Sequence, residues 1–391
     1  MPGPTRYQPT STPVPAATMP AAGPGPIMPA SAPAPPIVTA ATARTPSGCA
    51  VPRLLNTSLT MRPPIHIGGA CRIIMAELRR DRALTVPPPR ANLKQGPSPP
   101  RKEAVPMTRL IVADAAMRNL LAKREDAHKY VYGHALVLSG GPGKGGAARL
   151  AARAALRVGA GLVTVAAPQP AIAEHAAQLN AVMLTPLPDS YSLRGMLTQD
   201  KRLNALLLGP GMGINRAREM VPAALWAERA TVLDADAITA FAENPVQLFG
   251  MLHDKVVLTP HMGEFGRLFP DLAQAAKDGS LTHVEATRHA ADRAGCTVLL
   301  KGAETAIAAP TGETALHRAV GSTAAPWLAT AGSGDVLSGI VTGLLARGLS
   351  PFDAAGTGAW LHAAAARAYG PGLISEDLPE MLPRVFADLG L

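Results

Sequence analysis

Cysteine is scarce in this chain, with three in 391 residues, at Cys49, Cys71 and Cys296. That spacing supplies neither a disulfide framework nor a zinc site, and it suits a reducing compartment. No apolar run is long enough to cross a bilayer, no signal-peptide apolar core follows the start, and no internal repeat is visible. Acidic residues are nearly missing from the beginning: through Met107 there are 12 Lys/Arg against three Asp/Glu, and beyond it 25 against 25. The formal charge of +9 therefore belongs to the first 107 residues. It is no sign that the folded part binds nucleic acid.

The same boundary divides the prolines. More than half of the 39 lie before Met107, in runs such as Pro87-Pro-Pro-Arg90. Apart from a short basic helical stretch around Ile73–Ala83, that region has no periodic apolar pattern. It cannot bury enough apolar surface to offset its ordering entropy. Residues 1–107 are expected to be a disordered, Pro/Ala-rich basic extension. Its poverty in acids resembles a transit peptide, but prolines interrupt any amphipathic helix; an upstream translation start, with Met107 the functional beginning, fits equally. The domain itself is expected in the cytoplasm.

From residue 108 short apolar runs alternate with alanine-rich helical stretches. Strands are expected at 135–139, 161–167, 205–209, 231–234, 255–259, 297–301 and 305–309, and helices at 147–158, 222–229 and 284–294. Uninterrupted apolar strands suit a parallel sheet buried on both faces, and β/α alternation predicts a three-layer α/β/α domain over 108–391. Two helices in succession, 332–347 and 350–369, depart from simple alternation. Ser350-Pro-Phe-Asp353 opens the second with an N-cap serine and a proline at N1.

In such sheets ligands bind where strands end. Here the strands run into Ser139-Gly-Gly-Pro-Gly-Lys-Gly-Gly146, Gly209-Pro-Gly-Met-Gly213, Asp234-Ala-Asp236, Thr259-Pro-His-Met-Gly-Glu264 and Lys301-Gly-Ala-Glu-Thr305. Gly141–Gly146 satisfies G-x-G-x-x-G, but the following strand ends Ala166-Ala-Pro-Gln169 without the ribose-binding acid of a dinucleotide fold. A P-loop fails too, because Leu138 and Gly145 occupy its glycine and hydroxyl positions. Downstream, Gly332-Ser-Gly-Asp335 enters a long helix. Bare amides there can neutralise a phosphoryl group in flight, and a carboxylate beside them can take a hydroxyl proton. Standing alone, the pattern equally describes an ordinary capped helix.

Thr330–Gly348 resembles the G-[ST]-G-D signature of the ribokinase-like superfamily. Residues 108–391 resemble ADP/ATP-dependent NAD(P)H-hydrate dehydratase, through His128–Gly140, Gly145–Ala148, Gly159–Ala166, Leu208–Gly213, Val232–Thr239, Leu258–Phe265, Leu299–Ala308 and the G-S-G-D helix, in that order. The resemblance implies a ribokinase-like three-layer α/β/α sandwich with a mostly parallel central sheet. It implies a lyase that restores NADH or NADPH from the S-form of the hydrate (NADHX, NADPHX), with ADP or ATP as phosphoryl donor and Mg²⁺ as cofactor.

Residue by residue, the resemblance makes Asp335 the base and the amides of Gly332, Ser333 and Gly334 the phosphoryl cradle. It places Ala147, Ala148, Gly213, His261 and Asp335 against the hydrate. Lys301, Gly302, Ala303, Glu304, Thr305 and Gly334 fall on the AMP moiety, and Glu264 on Mg²⁺ through water. Asp234 and Asp236 would polarise the site or order its waters, or Asp236 would cap a helix. The resemblance further implies a homotetramer and a functional partner, an NAD(P)HX epimerase; residues 1–107 look nothing like that often-fused domain, so the partner is expected as a separate protein. Two alternatives stand beside this reading: a ribokinase-like kinase of a small vitamin precursor, and a catalytically dead nucleotide-binding regulator. Trp327 occupies a position where the family commonly has a smaller residue.

Overall fold

The computed structural model describes residues 107–391. Apart from Met107, the expected basic extension and its helical stretch at 73–83 lie outside the described residues. Ten strands form one sheet: β1 (Arg109–Leu110), β2 (His134–Leu138), β3 (Leu162–Ala167), β4 (Met183–Pro186), β5 (Leu203–Leu208), β6 (Ala230–Leu233), β7 (Val256–Leu258), β8 (Thr297–Leu300), β9 (Glu304–Ala308) and β10 (Thr314–Arg318). Their spatial order is β1-β10-β9-β8-β7-β6-β5-β2-β3-β4. Only β9 runs against its neighbours, β8 and β10; all other pairs are parallel.

The pleat explains why these runs needed to be apolar throughout. Successive residues feed opposite faces: Ala135, Val137, Val163, Val165, Leu207 and Val232 enter one core. Leu136, Leu138, Leu206, Leu208, Leu233 and Leu258 enter the other. Helices Gly146–Arg157, Ser333–Ala346, Pro351–Tyr369 and Asp377–Asp388 contribute to the first core, and Ile214–Leu225 and His283–Ala294 to the second. This is the expected mostly parallel α/β/α sandwich.

Three strands were not anticipated, β1, β4 and β10, and one helix is corrected. Pro222 does not open the helix expected at 222–229 but lies inside Ile214–Leu225, whose start is set by Gly213 with φ +84°. The two consecutive helices near the end form as expected, and Ser350 Oγ accepts the Asp353 N–H at 3.1 Å.

Candidate active site

The carboxyl ends of β6, β7 and β8 place three charged side chains together. Asp234 follows β6 and is 1% exposed. The next residue, Ala235, has φ +47°, a conformation that costs a side-chain-bearing residue of order 1–3 kcal/mol and clusters at functional sites. Its amide donates to Asp234 Oδ1 at 2.9 Å, and the Gly213 amide donates to Asp236 Oδ2 at 2.8 Å. The strained bend thus separates two carboxylates with different duties: Asp236 ties down the loop after β5, and Asp234 meets a cation. That cation is Lys301, immediately after β8, whose Nζ donates to Asp234 Oδ1 at 2.8 Å and lies 3.8 Å from Glu264 Oε2.

His261 and Glu264 share a capping box on helix Met262–Leu268. His261 Nδ1 accepts the Gly263 and Glu264 amides at 2.9 and 3.3 Å, and Glu264 Oε2 accepts the His261 N–H at 2.9 Å. An accepting Nδ1 leaves the ring's donor at Nε2. Lys301 N donates to Pro260 O at 2.9 Å, which sets His261 and Lys301 side by side.

The Gly332-Ser-Gly-Asp335 turn faces this cluster. Gly332 adopts φ +86°, a left-handed conformation that favours glycine, and a side chain there would crowd Leu150 Cδ1 and Ser375 Cβ at 2.8 and 3.2 Å. The turn is braced from behind: Ser375 Oγ donates to Ala331 O at 2.6 Å, and Ser333 Oγ bonds buried His362 Nε2 at 3.2 Å. A side chain at Gly334 would stand 3.4 Å from Lys301 Nζ, which places the ammonium against the turn. Burial, reinforced by the charge of Asp234 and opposed by Lys301, pushes the Asp335 carboxyl up to about 6. For Lys301, burial pulls downward, but Asp234, Glu264 and Asp335 outweigh it and hold the ammonium above its ordinary value.

A cavity of about 670 Å³ opens on this arrangement, lined by His261, Lys301, Gly302, Thr305, Ser333 and Gly334 among others. Of the segment expected against a nucleotide, Ala303 also lines it, and Glu304 does not. The Glu304 carboxylate accepts from Arg318 Nε at 2.6 Å and borders a neighbouring cavity of about 780 Å³ instead. Alternation along β9 sends Glu304 and Thr305 to opposite faces. Ala148 is fully buried in the core, whereas the preceding Ala147 keeps exposed surface.

Two cavity residues escaped sequence reading, His317 on β10 and His362 on helix Pro351–Tyr369. Burial pushes both imidazoles down to about 4, so they are neutral. Each is a lone histidine without a motif, and His317 sits on an unanticipated strand.

Among the described residues no group of three or more His, Cys, Asp and Glu could hold a metal ion. Glu264 commits Oε2 to the His261 N–H. A carboxylate so placed suits an ion carried in on phosphate and kept partly hydrated, not a protein cage. Together, a carboxylate of raised pKa, the amides at a helix start (that of Ser333 in a long 3.4 Å bond to Thr330 O) and an adjacent ammonium can deprotonate a hydroxyl and stabilise a phosphoryl group in transit.

A family model described as NAD(P)H-hydrate dehydratase matches residues 135–381. A bifunctional NAD(P)H-hydrate repair enzyme of Salinibacter ruber is 35% identical over 357 residues, covering 81% of this chain and 63% of the relative. The ADP-dependent (S)-NAD(P)H-hydrate dehydratase of Neisseria meningitidis is 36% identical over 254 residues, 63% of this chain and 80% of that protein. Among solved structures, the ADP/ATP-dependent NAD(P)H-hydrate dehydratase of Bacillus subtilis, co-crystallised with ATP/Mg²⁺, superposes with a TM-score of 0.59 at 25% identity. It covers 72% of this chain and 99% of that one. The chain spans 63% and 54% of the length of two bifunctional relatives, from Salinibacter ruber and Moorella thermoacetica. By the match over 135–381 and the identity with these relatives, the chain belongs to the NAD(P)H-hydrate dehydratase family.

Proposed function

We propose that this chain restores NADH and NADPH from the S-form of their hydrates, spending ADP or ATP. The observation that carries the reading is the Asp335 carboxylate, raised to about 6 beside a left-handed glycine turn and the Lys301 ammonium. Hydroxide leaves carbon poorly, so the C6 hydroxyl of the hydrated ring is phosphorylated first. Asp335 takes the hydroxyl proton as the oxygen attacks the terminal phosphorus of the nucleotide, breaking its bond to the bridging oxygen and releasing AMP or ADP. The amides of Gly332, Ser333 and Gly334 meet the charge on the transferred group. The nitrogen lone pair then expels phosphate by breaking the C6–O bond, and loss of the C5 proton restores the ring double bond.

The nucleotide is read as occupying the 670 Å³ cavity, with Lys301, Gly302, Ala303 and Thr305 along one wall. Glu304, from the same segment, borders the adjoining cavity that Lys301, Gly302 and Ala303 also line. The hydrate lies toward Gly140–Gly146, Ala147, Ala148, Gly213 and His261. Glu264 is the residue that would face Mg²⁺ through water, and the ion when bound neutralises nucleotide phosphates. Neutral His317 and His362 line the nucleotide cavity without adding charge. The epimerase supplying the S-form is read as a separate protein, the assembly as a homotetramer and the compartment as cytoplasm. No helix among the described residues is long and apolar enough to cross a membrane. The deciding experiment mixes the protein with NADHX, Mg²⁺ and either nucleotide. Return of absorbance near ~340 nm, the dihydronicotinamide band, is expected with at least one donor, and its absence with both overturns the reading.

A further inference from the structure

The loop Gly140–Gly146 looks like an anion cradle, yet one of its amides is already occupied. Gly143 N donates at 2.7 Å to Glu174 Oε2, from the short helix Ile172–Ala176 that follows β3. We propose that Glu174, backed by Arg149 and His175, is a positioning residue that clamps this loop from its inner side into the shape that receives the dinucleotide. The proposal rests on the function given above.

Three observations converge on the clamp. At Gly145 an added side chain would fall 2.4 Å from Glu174 Oε1, 2.7 Å from Arg149 Nη1 and 2.8 Å from His175 Cε1, so three side chains close on bare backbone. His175 is fully buried, and its Nε2 bonds Ser139 Oγ at 3.0 Å, fixing the point where the loop leaves β2. At Gly141, Gly143 and Gly146, by contrast, an added side chain would meet nothing within 4 Å. One side of the loop is seated and the other is open. A segment of glycines has much backbone freedom to lose on ordering, and a ligand meeting it loose would supply that entropy from its own affinity.

The Gly143 amide, already given to a carboxylate, is not offered to a phosphate. Arg149 Nη1 lies 3.7 Å from Glu174 Oε1, and neither atom has a hydrogen-bond partner. Their attraction is purely electrostatic.

The test compares Glu174→Ala with Glu174→Gln, whose amide oxygen can still accept the Gly143 N–H. Loss of a hydrogen bond to a charged group is worth about tenfold or more in affinity. Glu174→Ala is expected to raise the KM for NADHX by about that factor, with kcat and the nucleotide KM within about twofold. Glu174→Gln is expected to recover most of the loss. Hydrogen exchange over residues 139–148 reads the clamp without turnover, and it should quicken in the alanine variant and stay slow in the glutamine one. Unchanged exchange overturns the proposal, as does a fall in kcat and melting temperature with the hydrate KM untouched. If the wild-type protein turns over no hydrate, the functional reading fails, and the exchange comparison still decides the clamp. Should the alanine variant not fold, Glu174→Asp, one methylene too short to reach Gly143, serves in its place.

Discussion

Lys301 Nζ and Asp234 Oδ1 meet at 2.8 Å, with the Asp234 side chain 1% and the Lys301 side chain 18% exposed. A lysine at the end of a strand was expected to reach for the nucleotide. It does border the cavity, but its ammonium is committed to a buried carboxylate. Removing it in Lys301→Ala leaves Asp234 desolvated and unpaired, a loss of about 3–5 kcal/mol. The melting temperature should fall by on the order of 10 °C. The nucleotide KM should rise more than the hydrate KM, because the lost charge lines the nucleotide wall. A variant with wild-type stability and wild-type nucleotide KM would remove Lys301 from both roles.

Asp335→Asn keeps shape and helix position but removes the negative charge and, with it, the ability to accept a proton. As the base, its loss should lower kcat by about 10²–10⁴-fold with nucleotide binding retained. Asn caps helices as well as Asp, so a purely structural residue would leave turnover near wild type. Steady-state kinetics and a melting curve of the same preparation separate the two.

Asp335 also predicts a pH signature. Its folded pKa of about 6 stands above the ordinary 3.8 because burial disfavours the charge. In the proposed role of base, Asp335 is ionised above about pH 6, and kcat/KM should fall tenfold per unit below it. Stability moves in the opposite sense. The folded state binds this proton more tightly than the unfolded chain, so the ionised carboxylate costs stability above about 6, and that cost fades as pH drops toward 3.8. Asp335→Asn should therefore melt no lower than wild type at pH 8, and Lys301→Ala, which removes an opposing cation, should shift the acid limb upward.

A chain beginning at Met107 is expected to keep full activity and melting temperature, since the composition of residues 1–106 offers no core. A large loss of either would mean that the basic extension docks on the domain.

The sheet was readable where strands are buried on both faces, as in Ala135–Leu138 and Leu206–Leu208, because nothing but an unbroken apolar run fits there. It was unreadable at Met183–Pro186, an edge strand that is largely exposed and ends in proline, where packing imposes no pattern. The site was legible as a set of strand ends, since backbone topology brings those together whatever their side chains do. Side-chain direction was not. Glu304 and Thr305 stand one residue apart on β9 yet serve different cavities, and the turn of Lys301 toward Asp234 depends on a neighbour 67 positions away. His362 meets Ser333 only through the packing of two helices, which no local spacing encodes.

The edge strand β1 has a consequence for how the chain acquires its structure. Arg109 and Leu110 pair with Ala315 and Leu316, and Arg109 Nη2 reaches Asp353 Oδ1 at 3.1 Å. These contacts span more than 200 residues, and closing so long a loop costs entropy before any pairing repays it. At about 5–20 residues per second, a ribosome makes the partners of β1 at least ten seconds after β1 itself. Throughout that interval the first segment of the domain has its sequence but no edge to join, while β2, β3 and β5 can already assemble. The earliest-made strand is thus among the last to find its place, and a nascent chain stalled before β10 should leave residues 107–112 open to proteolysis.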